Sequence, residues 1–564
     1  MPTDPTPRAR FATVRVHPAL VVLVVAALTC LAGLGRPAIT DSDEAFYAEA
    51  AREMVESGDW LTPRYNYADR WQKPVLYYWG AALGYEVAGV GEAAARLPSA
   101  LSGIGLAVLA WAVGRRWYGE RAGRLAGVVL GTSVGLVTIA RLALPDLPLA
   151  FFISLGTWTA MRAALDGDRL DARWLVASAG ALGAGFLMKG PVALAVPLVV
   201  LVPLVTIERR WRVVLRPGPL ALALLAFLVV GVPWYWAMYR AHGVAYLQSF
   251  FVGDNLERFA TDRFNDPRPP WFYLPVVVAG MLPWSAFFAL WAAPAWRVLT
   301  RKARLAVPDL RLILWAVLPV LLFTASVGKQ PRYILPALLP LAVGLAASID
   351  ARLRAGAPGR TWTAAAVLAG VVVAAFGGIL LQVPAELVGT ETWRLVAGGL
   401  VVLLLGLAAI VVAVRRPPRL PATLAAASVA LFVALHLSVL GPSGPETVEQ
   451  VAARLAPLLG PGVQWTTREV FVRNLVFYVG KAQSGPFEEP GLVDFLKSPG
   501  PVLALVPDKD VERLGAAAGV RLHRIDEWRY FNIAAVRWRH LFTRTPGRAF
   551  RTVVLVSNRD MIRR

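Results

Sequence analysis

The sequence predicts an all-α polytopic membrane protein of about thirteen transmembrane helices, ending in a small α/β domain on the outer side. Three observations predict it. Apolar residues make up 57% of the chain and charged residues only 17%, with a mean hydropathy of +0.54, a balance far from that of a soluble protein. Apolar runs of roughly span length recur up to residue 440. Arginines gather in every second loop between those runs, the signature of cytoplasmic loops.

The first run, residues 18–35, follows the basic start M-P-T-D-P-T-P-R-A-R. No small-residue cleavage signal follows it, so it reads as a retained anchor. The single cysteine, Cys30, lies inside it, which excludes a disulfide framework and a Cys-based metal site. Next comes an acid run, Asp41 to Met54, holding Asp41, Asp43, Glu44, Glu49 and Glu53. It predicts a short helix capped by Asp41 or Ser42, with Arg52 paired to Glu49 and Glu56, ending at Gly58. Residues 75–91 are apolar enough to span, but a span there would put Arg115 and Arg116 outside and break the alternation of every later loop. They are therefore expected to form an interfacial helix, with Tyr77, Tyr78, Trp79 and Tyr85 at the headgroup boundary. The first outer loop then covers residues 37–96.

The remaining spans fall at about 97–114, 122–140, 146–164, 174–188, 190–206, 218–238, 271–296, 309–327, 333–349, 361–382, 393–414 and 420–440. The basic tail and the loops around Arg115, Arg169, Arg210, Arg301, Arg354 and Arg416 are placed in the cytoplasm. The acid run, Asp146, Lys189, the loop 241–270 and Lys329 to Tyr333 face outward. The formal charge of +21 is thus a matter of topology, and a nucleic-acid partner is excluded. Residues 1–440 form the transmembrane domain. Pro442, Gly444 and Pro445 make a linker to a domain over 441–564, which opens with an amphipathic helix at 446–458 and continues with β-rich pieces at 469–479, 501–506, 533–538 and 552–556. The basic stretch Arg537 to Arg551 reads as a solvated surface or an anionic-lipid contact.

Several outward positions carry polar residues at span ends. Asp43 and Glu44 exceed what one helix cap needs. Lys73 lies in W-Q-K-P, Asp146 in R-L-A-L-P-D, Lys189 in F-L-M-K-G-P, Arg258 in D-N-L-E-R-F and Tyr333 in K-Q-P-R-Y. Each has an ordinary reading: a turn acid, a snorkelling lysine, a solvated helix face, an aromatic-belt tyrosine. Together they put carboxylates, cations and a phenol at one membrane surface, a set that suits an anionic lipid headgroup beside a general base. No phosphate-binding glycine loop is present, and the five histidines show no metal-ligand spacing.

The order D-S-D-E-A-F-Y-A-E-A-A-R-E-M, then S-G-D-W-L-T-P-R, then K-P, resembles the membrane glycosyltransferases that use polyprenyl-phosphate sugars. These are the aminoarabinose transferases of lipid A and the protein O-mannosyltransferases, which have the GT-C fold. R-L-A-L-P-D, F-L-M-K-G-P, L-E-R-F, K-Q-P-R-Y-I-L-P and F-Y-V-G-K extend the likeness to about residue 480, closest to the aminoarabinose branch. The resemblance implies that Asp43 is the catalytic aspartate, with Glu44 second. It implies that Lys73, Arg258 and Tyr333 hold the donor phosphate, and that Asp146, Lys189 and Gln72 line the cavity. The branch has a metal-associated Glu before its Lys-Pro pair. Gln72 stands there, and a neutral amide is a poor ligand for a hard cation. Arg70 and Trp71 also replace an aromatic pair of the branch.

The expected protein is a glycosyltransferase of the bacterial inner membrane. It would move a sugar from an undecaprenyl-phosphate donor to lipid A, another glycolipid or a protein hydroxyl at the outer face. The alternative of another class is a transporter or flippase for a lipid-linked substrate. Transporters place polar residues near the bilayer midplane and show repeats, whereas these residues gather at outer span ends and no repeat is visible.

Overall fold

The structure, a computed structural model, describes residues 17–257, 261, 267–356, 359–440, 447–485, 487–531 and 550–561. Every apolar run expected to span is helical. The first helices are α1 (Pro18–Leu31), α2 (Asp43–Ser57), α3 (Leu76–Ala88), α4 (Glu92–Tyr118), α5 (Glu120–Gly131), α6 (Val134–Ala140), α7 (Asp146–Leu165), α8 (Ala172–Lys189) and α9 (Val192–Ile207). Among the described residues, six helices are long and apolar enough to cross a membrane, and nine spans result if each bent pair counts as one. Both α1 and α9 are shorter apolar helices.

The bends have local causes. The α5–α6 pair turns by 56° at Thr132 and Ser133. Pro270–Gly280 and Trp284–Leu299, expected as one span over 271–296, instead turn by 117°. The two breaks meet. Val134 N donates to Leu282 O at 3.1 Å, and Trp284 Nε1 donates to Thr132 Oγ1 at 2.9 Å. Backbone groups freed by a break inside a helical bundle need such partners, because no water replaces them there. A third bend, of 48°, separates Pro217–Gly231 from Pro233–Glu257, where Pro233 lacks the N–H that would continue the ladder.

The acid helix α2 forms as its sequence dictates. Ser42 caps it, with Oγ accepting from Glu44 N, and Gly58 closes it in the left-handed conformation. Arg52 pairs with Glu49 at 2.7 Å and Glu56 at 2.9 Å. Glu53 accepts from Tyr67 N at 2.9 Å. Burial, and then the neighbouring Glu49 charge, push its carboxyl up to about 8 from 4.5. The folded chain therefore keeps a proton that the unfolded chain releases above 4.5, so stability falls as pH rises from there to about 8 and levels off beyond. Glu53→Gln should flatten that slope. Thermal scans of purified protein at one scan rate, from about pH 5 to 9, would show it, and an unchanged slope would refute the assignment.

Between α2 and α3 runs a hairpin, β1 (Arg64–Tyr65) with β2 (Ala68–Asp69). The α3 helix corrects an expectation. Tyr77, Tyr78 and Tyr85 do not face headgroups but are buried within the protein, Tyr77 donating to Ala95 O and Tyr85 to Ala48 O. An interfacial stripe and a buried one share the same helical spacing, so sequence does not separate them. Between α2 and α4 lies a buried ion pair. The Arg96 Nε sits 2.7 Å from Glu44, and its other nitrogens donate to Leu34 O, Pro37 O and Ala38 O.

The C-terminal residues build a four-stranded sheet in the order β3 (Gln464–Thr467), β4 (Val502–Pro507), β6 (Arg551–Ser557), β5 (His523–Tyr530). The β3–β4 pair is parallel and the other pairs are antiparallel. The helix expected at 446–458 is present as Thr447–Leu455, and the pieces 501–506 and 552–556 are strands. The piece 469–479 is not. Glu469 and Phe471 adopt positive φ, and Leu475–Val479 is a short helix. The linker residues Pro442, Gly444 and Pro445, the piece 533–538 and most of Arg537 to Arg551 lie outside the described residues.

Candidate active site

The acid run resolves residue by residue. Asp41 accepts from the backbone N–H groups of Val472 and Arg473, at 3.1 and 2.6 Å. Glu44 is fully buried, with its carboxylate taken by Arg96, Thr40 N and Ala143 N. Burial alone would raise its carboxyl, but Arg96 and these hydrogen bonds hold it below the ordinary range. Glu44, expected as a second catalytic acid, is thus a structural ion-pair partner. Asp43 alone turns to the other side, where it pairs with Arg332. Its side chain remains 48% exposed. Burial would raise its carboxyl, but Arg332 outweighs that and leaves it ionised below the ordinary range.

Arg332 opens into a cavity of about 110 Å³. The cavity collects Lys73, Asp146, Lys189 and Tyr333 from four separate parts of the chain. Lys189 Nζ lies 2.6 Å from Asp146 and 5.4 Å from the centre of the Tyr333 ring. Arg332 Nε lies 3.4 Å from the other Asp146 oxygen. Lys73 Nζ donates to Gln72 O at 2.6 Å and sits 3.5 Å from Asp254. Leu149, Ile153, Val192, Phe323 and Pro336 form the apolar part of the wall. The site therefore joins a charged end to a hydrocarbon slot.

Local structure positions each group. Asp146 is the first residue of α7, where a helix N-terminus favours a carboxylate. Lys189 is the last residue of α8, where a cation is favoured. Gly190 follows with φ +77°, and a Cβ there would fall 2.6 Å from the Phe250 ring, so glycine lets the chain turn tightly beneath Lys189. Trp71 packs on His242 at 5.3 Å, and His242 Nε2 lies 2.8 Å from Thr62 Oγ1, pinning the segment that carries Lys73. Arg70 lies over the Phe46 ring at 4.2 Å.

Asp146, Lys189, Lys73 and Tyr333 thus come together as the sequence implied. Gln72 does not line the cavity: its residue is exposed and only its carbonyl serves Lys73. Arg258 lies outside the described residues. Two members were missed, Arg332 and Asp254. Both lie in strings already singled out, K-Q-P-R-Y and D-N-L-E-R-F. Among the described residues no group of three His, Cys, Asp or Glu side chains is placed to hold a metal ion.

Residues 72–236 match the family described as dolichyl-phosphate-mannose-protein mannosyltransferase. Curated relatives include the undecaprenyl phosphate-α-4-amino-4-deoxy-L-arabinose arabinosyl transferase of Pseudomonas aeruginosa (strain UCBPP-PA14), 35% identical over 339 residues, which are 59% of this chain and 60% of that protein. A transferase 2 of the same description from Pseudomonas fluorescens (strain Pf0-1) is 35% identical over 334 residues, 58% of each chain. Over these stretches the chain is similar to transferases named for lipid-phosphate-linked sugars. It spans about three fifths of the length of the curated relatives it matches. The crystal structure of ArnT from Cupriavidus metallidurans bound to undecaprenyl phosphate superposes with a TM-score of 0.75 at 23% identity, covering 96% of this chain and 98% of that one. That agreement establishes the fold, in which the cavity lies at the ends of helices.

Proposed function

We infer that the chain transfers a sugar from an undecaprenyl-phosphate carrier to an acceptor at the outer face of the cytoplasmic membrane. The observation that carries this is the cavity, with Lys73, Lys189 and Arg332 at one end and a hydrocarbon slot at the other. A lipid phosphate needs both. In this reading the thirteen apolar helical segments all belong to the membrane domain, residues 1–440. The sheet-bearing residues of 441–564 form a domain on the same outer side as α2, which their contacts with Asp41 support.

Lys73, Tyr333 and Arg258 bind the phosphate, and Lys189 and Arg332 complete its surroundings. Their charges and hydrogen bonds stabilise the negative charge that collects on the leaving phosphate as the glycosidic bond breaks. Three cations here face three carboxylates: Asp43, Asp146 and Asp254. An arriving phosphate competes for the same cations. Arg332, drawn to the phosphate, releases Asp43 and lets its pKa rise, which makes it a better base only once donor is in place. For a hydroxyl acceptor Asp43 takes the proton as the oxygen attacks the anomeric carbon. For a phosphate acceptor, as on lipid A, no proton need move and Asp43 orients the acceptor. No step is routed through a metal.

A flippase reading suits polar residues near the midplane of the bilayer, whereas Asp146, Lys189 and Tyr333 stand at helix ends. Membranes supplied with a polyprenyl-phosphate sugar test the proposal directly. Lys73→Ala should raise the donor KM by roughly 10–100-fold, as expected for loss of a charge-assisted contact, and leave the acceptor KM nearly unchanged. A shift in acceptor KM alone would remove Lys73 from the phosphate site, and lipid flux without sugar transfer would favour the flippase.

A further inference from the structure

A second, larger cavity of about 720 Å³ lies toward the other end of the Leu335–Arg354 helix. The Leu335–Arg354 helix connects the two: Pro336 lines the first cavity, while Asp350 and Leu353 line the second. Asp350 and Leu353 lie about 21 and 26 Å from Pro336 along the helix at 1.5 Å per residue. The second cavity is a groove between α1 and the Leu420–Ser438 helix, closed behind by α5. Its wall is almost wholly apolar, and small residues create it. Ala422 and Ala426, four residues apart and both exposed, leave room that larger side chains would fill. From Pro421 to Val433 the groove runs about 18 Å, close to the roughly 15 Å of one hydrocarbon leaflet.

One end of the groove is cationic. Arg121 and Arg124, in the first turns of α5, stand at its mouth. Asp350 there is shared by Arg121 at 2.9 Å and Arg354 at 2.6 Å, so its single charge is already offset. Arg124 is exposed and has no ion pair among the described residues. The mouth thus carries excess positive charge beside a slot of acyl-chain length.

We propose that this groove binds an anionic glycerophospholipid, with its phosphate against Arg121 and Arg124 and an acyl chain along the Leu420–Ser438 helix. Basic pockets between membrane helices recognise anionic headgroups in this way. The loop rule places this end in the cytoplasmic leaflet, opposite the transfer site. The proposal does not depend on sugar transfer.

The test uses delipidated full-length protein and two probes with identical oleoyl chains, phosphatidylglycerol and phosphatidylcholine, with binding read by native mass spectrometry and by thermal midpoint. Phosphatidylglycerol should bind in preference. Arg121→Gln with Arg124→Gln should weaken it about thirtyfold, a factor of roughly five for each arginine, and leave phosphatidylcholine unchanged. Ala426→Trp should displace it with both arginines intact. Equal binding of the two lipids by the unaltered protein would overturn the proposal, as would survival of phosphatidylglycerol binding in both variants. Preferential capture of undecaprenyl phosphate at this mouth would overturn it too.

Discussion

Asp43→Asn should abolish sugar transfer while leaving the protein folded. The substitution keeps the shape of the side chain and removes its charge. With a hydroxyl acceptor the loss of a general base should lower kcat by roughly 10²–10⁴. With a phosphate acceptor the loss should fall mainly on acceptor KM, because that nucleophile is already ionised. The fold should tolerate the change for two reasons on view. Asp43 is half exposed, and Arg332 keeps a second carboxylate, Asp146, at 3.4 Å. Transfer assays in membranes, paired with a thermal midpoint for the purified variant, separate the two effects. Near-full transfer by Asp43→Asn would sink the assignment.

The opposite pattern is expected at Arg96. Arg96→Ala should cost about 3–5 kcal/mol, the range for removing one partner of a buried ion pair. It strands the Glu44 carboxylate and frees three carbonyls, those of Leu34, Pro37 and Ala38. Arg96→Lys should rescue little, because one ammonium cannot reproduce the fork that reaches all of these groups. Glu44→Gln should also destabilise, unlike Asp43→Asn, although the two acids are adjacent. Yield and thermal midpoint in detergent would measure both. A midpoint equal to that of the unaltered protein in Arg96→Ala would show that the pair does not hold α2 to α4.

The contrast between Asp43 and Glu44 marks the boundary of what the chain reveals before folding. Hydropathy and arginine placement located the apolar helices, because both report on local composition. Ser42, Arg52 and Gly58 were readable for the same reason: their partners lie within a few residues. Glu44 was misread because its partner, Arg96, is 52 residues away and looks like an ordinary charge at a span end. Arg332 escaped notice because its value comes from Asp43, 289 residues distant. Within K-Q-P-R-Y nothing local distinguishes the arginine from the lysine and tyrosine around it. The aromatic helix α3 failed differently. Its spacing was right, but which surface covers an aromatic stripe depends on packing alone. The segment 469–479 has strand-like residues, and two positive φ angles broke it into a turn and a short helix.

The contacts of Asp41 with the backbone at Val472 and Arg473 join residues 431 and 432 positions apart. Nearby, Tyr478 accepts from Ile39 N and Asn474 donates to Ile39 O. During synthesis at roughly 5–20 residues per second, the segment before α2 waits roughly 20–90 s for these partners to leave the ribosome. Through that interval α2, with Asp43 at its start, lacks its upstream anchor. The anchor of α2 therefore forms only after the helices through Ser438 have been made, and a ribosome that stalls before residue 472 leaves a membrane-embedded chain without it.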